Sequence, residues 1–185
     1  MRAFVGLTLP DDALDALERL QEEIPVGRIV PAENLHLTLA FLDEQPEVAL
    51  QALHQELAQI EAGRLTLDFK GLDLFGGGKP RILFAAVELA PPLSRLRDQV
   101  RAAAERAEID LPRARFRPHI TLARFGRDMP EHQARRLGAF LQAHGDFSVS
   151  DVLVDRMALY GSTLTPDGAR YDILADYPMQ AGEGG

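Results

Sequence analysis

Glu33-Asn34-Leu35-His36-Leu37-Thr38-Leu39-Ala40-Phe41-Leu42 and Phe116-Arg117-Pro118-His119-Ile120-Thr121-Leu122-Ala123-Arg124 share one core, His-x-Thr-Leu-Ala, 83 positions apart. Successive side chains of a strand point to opposite faces, so His36 and Thr38 share one face while Leu35, Leu37 and Leu39 share the other. His119 and Thr121 stand in the same way against Ile120 and Leu122. Each motif therefore sets an imidazole beside a hydroxyl, with an apolar layer behind them. With five histidines and six threonines in 185 residues, composition alone gives about 0.16 His-x-Thr occurrences. Two that agree over five letters are not an accident of composition.

The surroundings repeat as well. Arg2–Leu9 reads as a strand, and a helix follows from Pro10 and Asp11 with Leu14, Leu17, Leu20 and Ile24 at helical spacing. Arg81–Val87 reads as a second such strand, with a helix entered at Pro91-Pro92 and striped by Leu93, Leu96, Val100 and Ala104. After the first pair come a turn at 25–27, the His36 strand, a helix over 46–60, Gly63 and an alternating strand, 65–69. After the second come Leu111-Pro112, the His119 strand, a helix over 130–143, Gly145 and an alternating strand, 147–154. His36 lies 27 positions before Gly63, and His119 lies 26 before Gly145. This is an internal duplication of strand, helix, strand, helix, strand.

Two similar halves pack about a pseudo-twofold axis with a cleft between them. The expectation is a single domain, 1–185, built of two lobes over roughly 1–78 and 79–179 that are free to exchange terminal strands. A last strand, 169–175, completes one of the sheets. Gly76-Gly77-Gly78-Lys79-Pro80 is a hairpin-type connection between strands; no Gly-Lys-Ser/Thr and no helix follows it, as a phosphate loop requires. Residues 180–185 read as a flexible tail.

Composition closes off several functions. No cysteine is present, which removes disulfides, thiolate zinc sites and cysteine nucleophiles and suits a reducing cytoplasm. No apolar run is long enough to cross a membrane, and Met1-Arg2-Ala3-Phe4 opens on a strand pattern instead of a signal-peptide core. A soluble, cytoplasmic protein is expected. The net charge of −8 argues against broad non-specific binding to nucleic acid. Between Arg113 and Arg127 the balance reverses, with five arginines and no acid; because this segment holds His119, it reads as an anion-binding wall.

Paired histidines suit in-line displacement at a cyclic phosphodiester. One neutral imidazole takes a proton from water, and an imidazolium opposite gives one to the departing ribose oxygen. Their ordinary pKa near about 6.5 lets both forms exist close to neutrality. Thr38 and Thr121 are placed to donate to the non-bridging oxygens, where Arg124, with Arg127 as a further candidate, adds positive charge. No metal or other cofactor is called for: there is no His-Glu-x-x-His and no Asp/His cluster. His54, His132 and His144 read as surface residues on helices. Ser162 and Thr163 are candidates for phosphate contact, although a turn beside Gly161 is the simpler reading. Phe41 is a candidate for stacking a base, although core burial is the commoner fate of a strand phenylalanine.

These residues resemble the 2H phosphoesterase superfamily, defined by two His-x-Thr/Ser motifs, and within it the bacterial and archaeal RNA 2',3'-cyclic phosphodiesterase branch, historically called 2'-5' RNA ligases. Arg2–Pro10 is similar to the branch's opening strand, Glu33–Leu42 to its first motif and Phe116–Arg124 to its second. Leu159–Leu164 and Gly168–Tyr171 also fit. The resemblance implies an α+β fold of two pseudo-symmetric lobes, each an antiparallel sheet with flanking helices, around a central cleft (the LigT-like fold). It implies that His36 is the proton donor and His119 the proton acceptor, in opening a 2',3'-cyclic phosphate to a 2'-phosphomonoester. The partner would be RNA or a nucleotide with a cyclic end, acted on by a monomer with no obligatory protein partner and no membrane. A 2'-5' linked oligonucleotide, a small cyclic nucleotide and a non-catalytic RNA-end-binding role stand as alternatives. One departure is Gly161, where the family pattern calls for a basic or polar residue.

Overall fold

The computed structural model describes residues 1–181. In chain order the elements are β1 (Arg2–Thr8), α1 (Asp11–Glu22), β2 (Arg28–Ile29), a 3-10 turn (Ala32–Asn34), β3 (His36–Glu44), α2 (Glu47–Leu57), β4 (Leu65–Phe75), β5 (Ile82–Val87), α3 (Pro91–Arg106), β6 (His119–Arg124), α4 (Glu131–His144), β7 (Ser148–Val154), β8 (Arg156–Thr165) and β9 (Gly168–Pro178). Prolines introduce every helix. Pro10, Pro46 and Pro130 sit extended just before α1, α2 and α4, and Pro91 opens α3. Proline's fixed φ suits a helix start, and its missing N–H is one that the first turn leaves unpaired in any case.

Two antiparallel sheets result. The first has the order β3-β1-β8-β9, and the second β2-β6-β5-β4-β7. Without the two-residue β2 the orders correspond, with the motif strands β3 and β6 each beside the opening strand of their repeat. The strands do not segregate at residues 78 and 79. β2 and β4 precede that point yet belong to the second sheet, while β8 and β9 come from the end of the chain and complete the first. Leu7, Leu37 and Leu53 belong to one buried cluster with Leu83, Val100, Ile120 and Val152, so the sheets share a core.

The repeat extends to an irregularity that alternation does not foresee. β1 pairs Val5 with Ala40 but Gly6 with Thr38, and β5 pairs Leu83 with Ala123 but Phe84 with Thr121. Leu39 and Leu122 are thus extra residues at equivalent β-bulges. A bulge shifts the side-chain phase by one. Phe41 and Arg124, three residues beyond Thr38 and Thr121, therefore join the histidines on the cleft face, where strict alternation would turn them away.

Two expectations need correction. The stretch around Gly161 and Ser162 is not a turn: it lies inside β8, whose Met157–Gly161 are all buried. Buried on both sides, this strand carries no alternation to read. Gln180 is not frayed, because it bridges to Gly63 and exchanges backbone hydrogen bonds with Ala62 and Arg64; residues 182–185 lie outside the described residues. The hairpin expected at Gly76–Pro80 does join antiparallel β4 and β5, with Gly76 and Gly77 at φ of 117° and 60°. No helix among the described residues is long and apolar enough to cross a membrane.

Candidate active site

His36 and His119 both line one cleft of about 760 Å³ between the sheets, together with Thr121, Arg124, Phe41 and Ser162. The two imidazoles are anchored alike. His36 Nδ1 lies 2.7 Å from the carbonyl of Asn34, and His119 Nδ1 lies 2.7 Å from the carbonyl of Arg117, each two residues upstream. A carbonyl only accepts, so Nδ1 must carry the proton in both rings. In the neutral state this leaves Nε2 as the bare, proton-accepting atom, an orientation set by backbone.

Aromatic rings support each imidazole. Phe4 stacks on His36 with centroids 4.6 Å apart, on a small apolar layer with Tyr160 and Tyr171. Phe84 and Phe75 meet His119 at 5.2 and 4.9 Å, closer to edge-on. The register explains the difference. Gly6 stands where Phe84 stands in the other sheet, and a Cβ on Gly6 would lie 3.4 Å from His36 Cδ2 and 3.0 Å from the Leu37 carbonyl oxygen. With no side chain there, the floor beneath His36 comes from Phe4.

Burial is the main reason that the pKa of His36 is pushed down to about 4; the Asn34 carbonyl opposes this, and the positive charges of His119 and Arg124 add to it. His119 is lowered as well, again chiefly by burial, with the Arg117 carbonyl opposing and Arg117 and Arg124 contributing. Both shifts favour the neutral imidazole.

The threonines diverge. Thr121 faces the cleft. Thr38 Oγ1 lies 2.8 Å from His36 Nε2 and donates to that bare nitrogen. Thr38 is therefore engaged with the imidazole, where the sequence suggested a phosphate contact. Of the five arginines between 113 and 127, Arg124 lines the cleft. Arg127 is exposed and is not among the residues that line the cleft. Arg117 turns to Asp73, donating from Nη2 to Oδ2 at 2.6 Å, and covers the Phe75 and Phe84 rings. Ser162 lines the cleft from β8. Phe41 is 61% exposed and lines it too, so core burial is not its fate.

Sequence reasoning passed over Arg2 and Arg28, which add positive charge to the walls, and Tyr171, which meets the His36 ring edge-on at 5.3 Å. None sits in a His-x-Thr motif. His54 and His132 are exposed, though His54 Nδ1 is 2.9 Å from the Tyr177 hydroxyl, and His144 is partly covered by Phe140. Among the described residues, no group of three or more His, Asp or Glu is placed to hold a metal ion.

Two antiparallel sheets that present paired His-x-Thr strands to a shared cleft define the LigT-like 2H phosphoesterase class. The chain belongs to the 2'-5' RNA ligase superfamily, whose family model matches residues 9–163. It is 32% identical to the RNA 2',3'-cyclic phosphodiesterase of Thermus thermophilus over 197 aligned positions, covering 100% of this chain and 93% of that one. The crystal structure of TT0787 of Thermus thermophilus superposes with a TM-score of 0.75 at 30% identity, covering 99% and 100% of the two chains. Apo LigT of E. coli superposes with a TM-score of 0.73 at 25% identity, covering 97% of each.

Proposed function

We propose that this chain is a metal-independent phosphodiesterase that opens RNA 2',3'-cyclic phosphate ends to 2'-phosphomonoesters. The observation that carries the reading is the pair of imidazoles, each held by a backbone carbonyl at Nδ1 and each lining the same cleft. The names of the relatives supply the substrate class.

The cyclic phosphate lies between the histidines, with its non-bridging oxygens toward Thr121 and Arg124. His119 Nε2 takes a proton from water as the water oxygen bonds to phosphorus. The bond from phosphorus to O3' breaks, and O3' leaves with a proton from His36 Nε2. His119 then holds the proton that His36 lost, and exchange with solvent resets the pair. Charge building on the phosphoryl oxygens is met by preorganised donors. Phe41, at the position equivalent to Arg124, offers its face to the base.

The lowered pKa values fit this division. A neutral His119 is ready to act as base at pH 7. Only about one free molecule in a thousand carries the His36 proton there, so the acid forms as substrate binds, when the phosphate charge offsets Arg124 and gives the imidazolium a partner. Thr38 follows the change, since its hydroxyl donates to bare Nε2 and accepts from Nε2–H.

The test is hydrolysis of an RNA 2',3'-cyclic end with EDTA present. His36→Ala and His119→Ala are each expected to lose roughly 10²–10⁴-fold in kcat/KM. Unchanged turnover in either variant, or loss of wild-type turnover on adding EDTA, would overturn the reading.

A further inference from the structure

Arg28 of β2 and Arg124 of β6 are direct partners in the antiparallel ladder, which sets both side chains on one face, about 5 Å apart at Cβ. Like charges directly opposed in this way destabilise a sheet. Among the described residues, neither forms an ion pair within 4 Å. Other arginines, such as Arg106, Arg117 and Arg156, do find carboxylates.

The opposition is built into the backbone. Gly27 holds φ at +93°, and any Cβ there would fall 2.6 Å from the Phe125 ring, so the chain can enter β2 only through glycine. Gln21, buried at the end of α1, donates from Nε2 to the carbonyls of Val30 at 2.8 Å and Leu122 at 3.0 Å, tying the segment after β2 to β6. Arg28 also reaches across the cleft mouth. Its Nη1 lies 3.3 Å from where a Cβ of Gly168 would be, at the start of β9 in the opposite sheet. Gly168, at φ +126°, leaves room for the guanidinium.

We propose that Arg28 is a second anion subsite, which holds the phosphodiester on O5' of the terminal nucleotide while Arg124 holds the cyclic phosphate. The inference rests on the cyclic phosphodiesterase reading. A polyanion lying between Arg28 and Arg124 relieves their repulsion. Two long side chains that rise from directly opposed strand positions can each take one phosphate of the same strand end. The acids that line the cleft, Asp43 and Asp167, come from β3 and the β8–β9 turn together with Arg2 of β1, whereas β2 and β6 contribute Arg28 and Arg124 and no acid. The site then selects an RNA chain end over a bare nucleoside cyclic phosphate, although the whole chain carries −8.

Three probes test this: adenosine 2',3'-cyclic phosphate with a free 5'-hydroxyl, the same nucleotide with a 5'-phosphate, and a dinucleotide ending in the cyclic phosphate. The wild type is expected to favour both phosphate-bearing probes by roughly ten- to hundredfold in kcat/KM. In Arg28→Gln the ratio to the 5'-hydroxyl probe falls toward one, and Arg28→Lys keeps part of it; thermal melts confirm that both variants fold. On the dinucleotide, the slope of log kcat/KM against log salt becomes shallower by about 0.7 when one contact is lost. Equal wild-type turnover of all three probes, or an unchanged ratio in Arg28→Gln, overturns the subsite and leaves the catalytic reading intact. A preference confined to the 5'-phosphorylated mononucleotide overturns the RNA-chain assignment. No wild-type turnover of any probe removes the catalytic reading, and the subsite with it.

Discussion

Replacing His36 with Asn tests its buried, low-pKa environment through folding stability. In the unfolded chain the imidazole titrates near about 6.5, and in the fold its pKa is about 4. A cation-forming group lowered in this way binds its proton more weakly in the native state. Its contribution is complete above pH 6.5 and is lost as the pH falls toward 4. Between pH 7 and pH 4.5 that loss is roughly 2 kcal/mol for this side chain alone, a sizeable share of the stability of a small domain. Asparagine has no titration to contribute. Urea unfolding at the two pH values measures the difference for each protein, and acid-sensitive carboxylates common to both cancel. The expected result is that the wild type loses about 2 kcal/mol more on acidification than His36→Asn does. Equal losses would refute the low pKa, and the argument that the catalytic proton arrives with substrate would go with it. A proton NMR titration of the His36 ring gives the same quantity directly.

Gly6→Ala places a methyl group 3.4 Å from the His36 ring and 3.0 Å from the Leu37 carbonyl oxygen. The expected outcome is a fall in kcat of about tenfold or more from misplacement of the imidazole, with little change in nucleotide affinity; a variant with wild-type kcat would show that the ring can yield. Gln21→Leu removes the donor to the Val30 and Leu122 carbonyls. It should cost about 1–3 kcal/mol in urea unfolding and weaken the 5'-phosphate preference attributed to Arg28; a change below about 0.5 kcal/mol would show that those carbonyls find other partners.

The motif strands were legible because one face of each is core. His36 and Thr38 alternate with Leu37 and Leu39, and the same pattern recurs at His119. Their duplication implies paired sheets and a cleft between them. β8 escaped notice because Met157–Gly161 are buried on both faces, which erases the period of two, and because Gly161 and Ser162 have turn-like composition. The bulges at Leu39 and Leu122 leave no local signature, so the sequence does not show why Phe41 and Arg124 face the cleft. Arg28 belongs to a strand of two residues, too short for any pattern. The arginine-rich segment was over-read: charge composition does not show direction, and Asp73 draws Arg117 away from the cleft.

The interleaved strand order constrains how the molecule is born. β1 needs β8 on its free side, with Arg2 opposite Ser162, and β5 needs β4 from the earlier half of the chain. During synthesis the paired β1 and β3 therefore wait with an open edge until β8, Arg156–Thr165, has left the ribosome. Such long-range closure is slow, and unpaired edges invite association with other chains. A chain released before Arg156 lacks the strands that complete the sheet beneath His36. Translation arrest late in the message would thus yield a product that retains both His-x-Thr motifs but has no finished cleft between them.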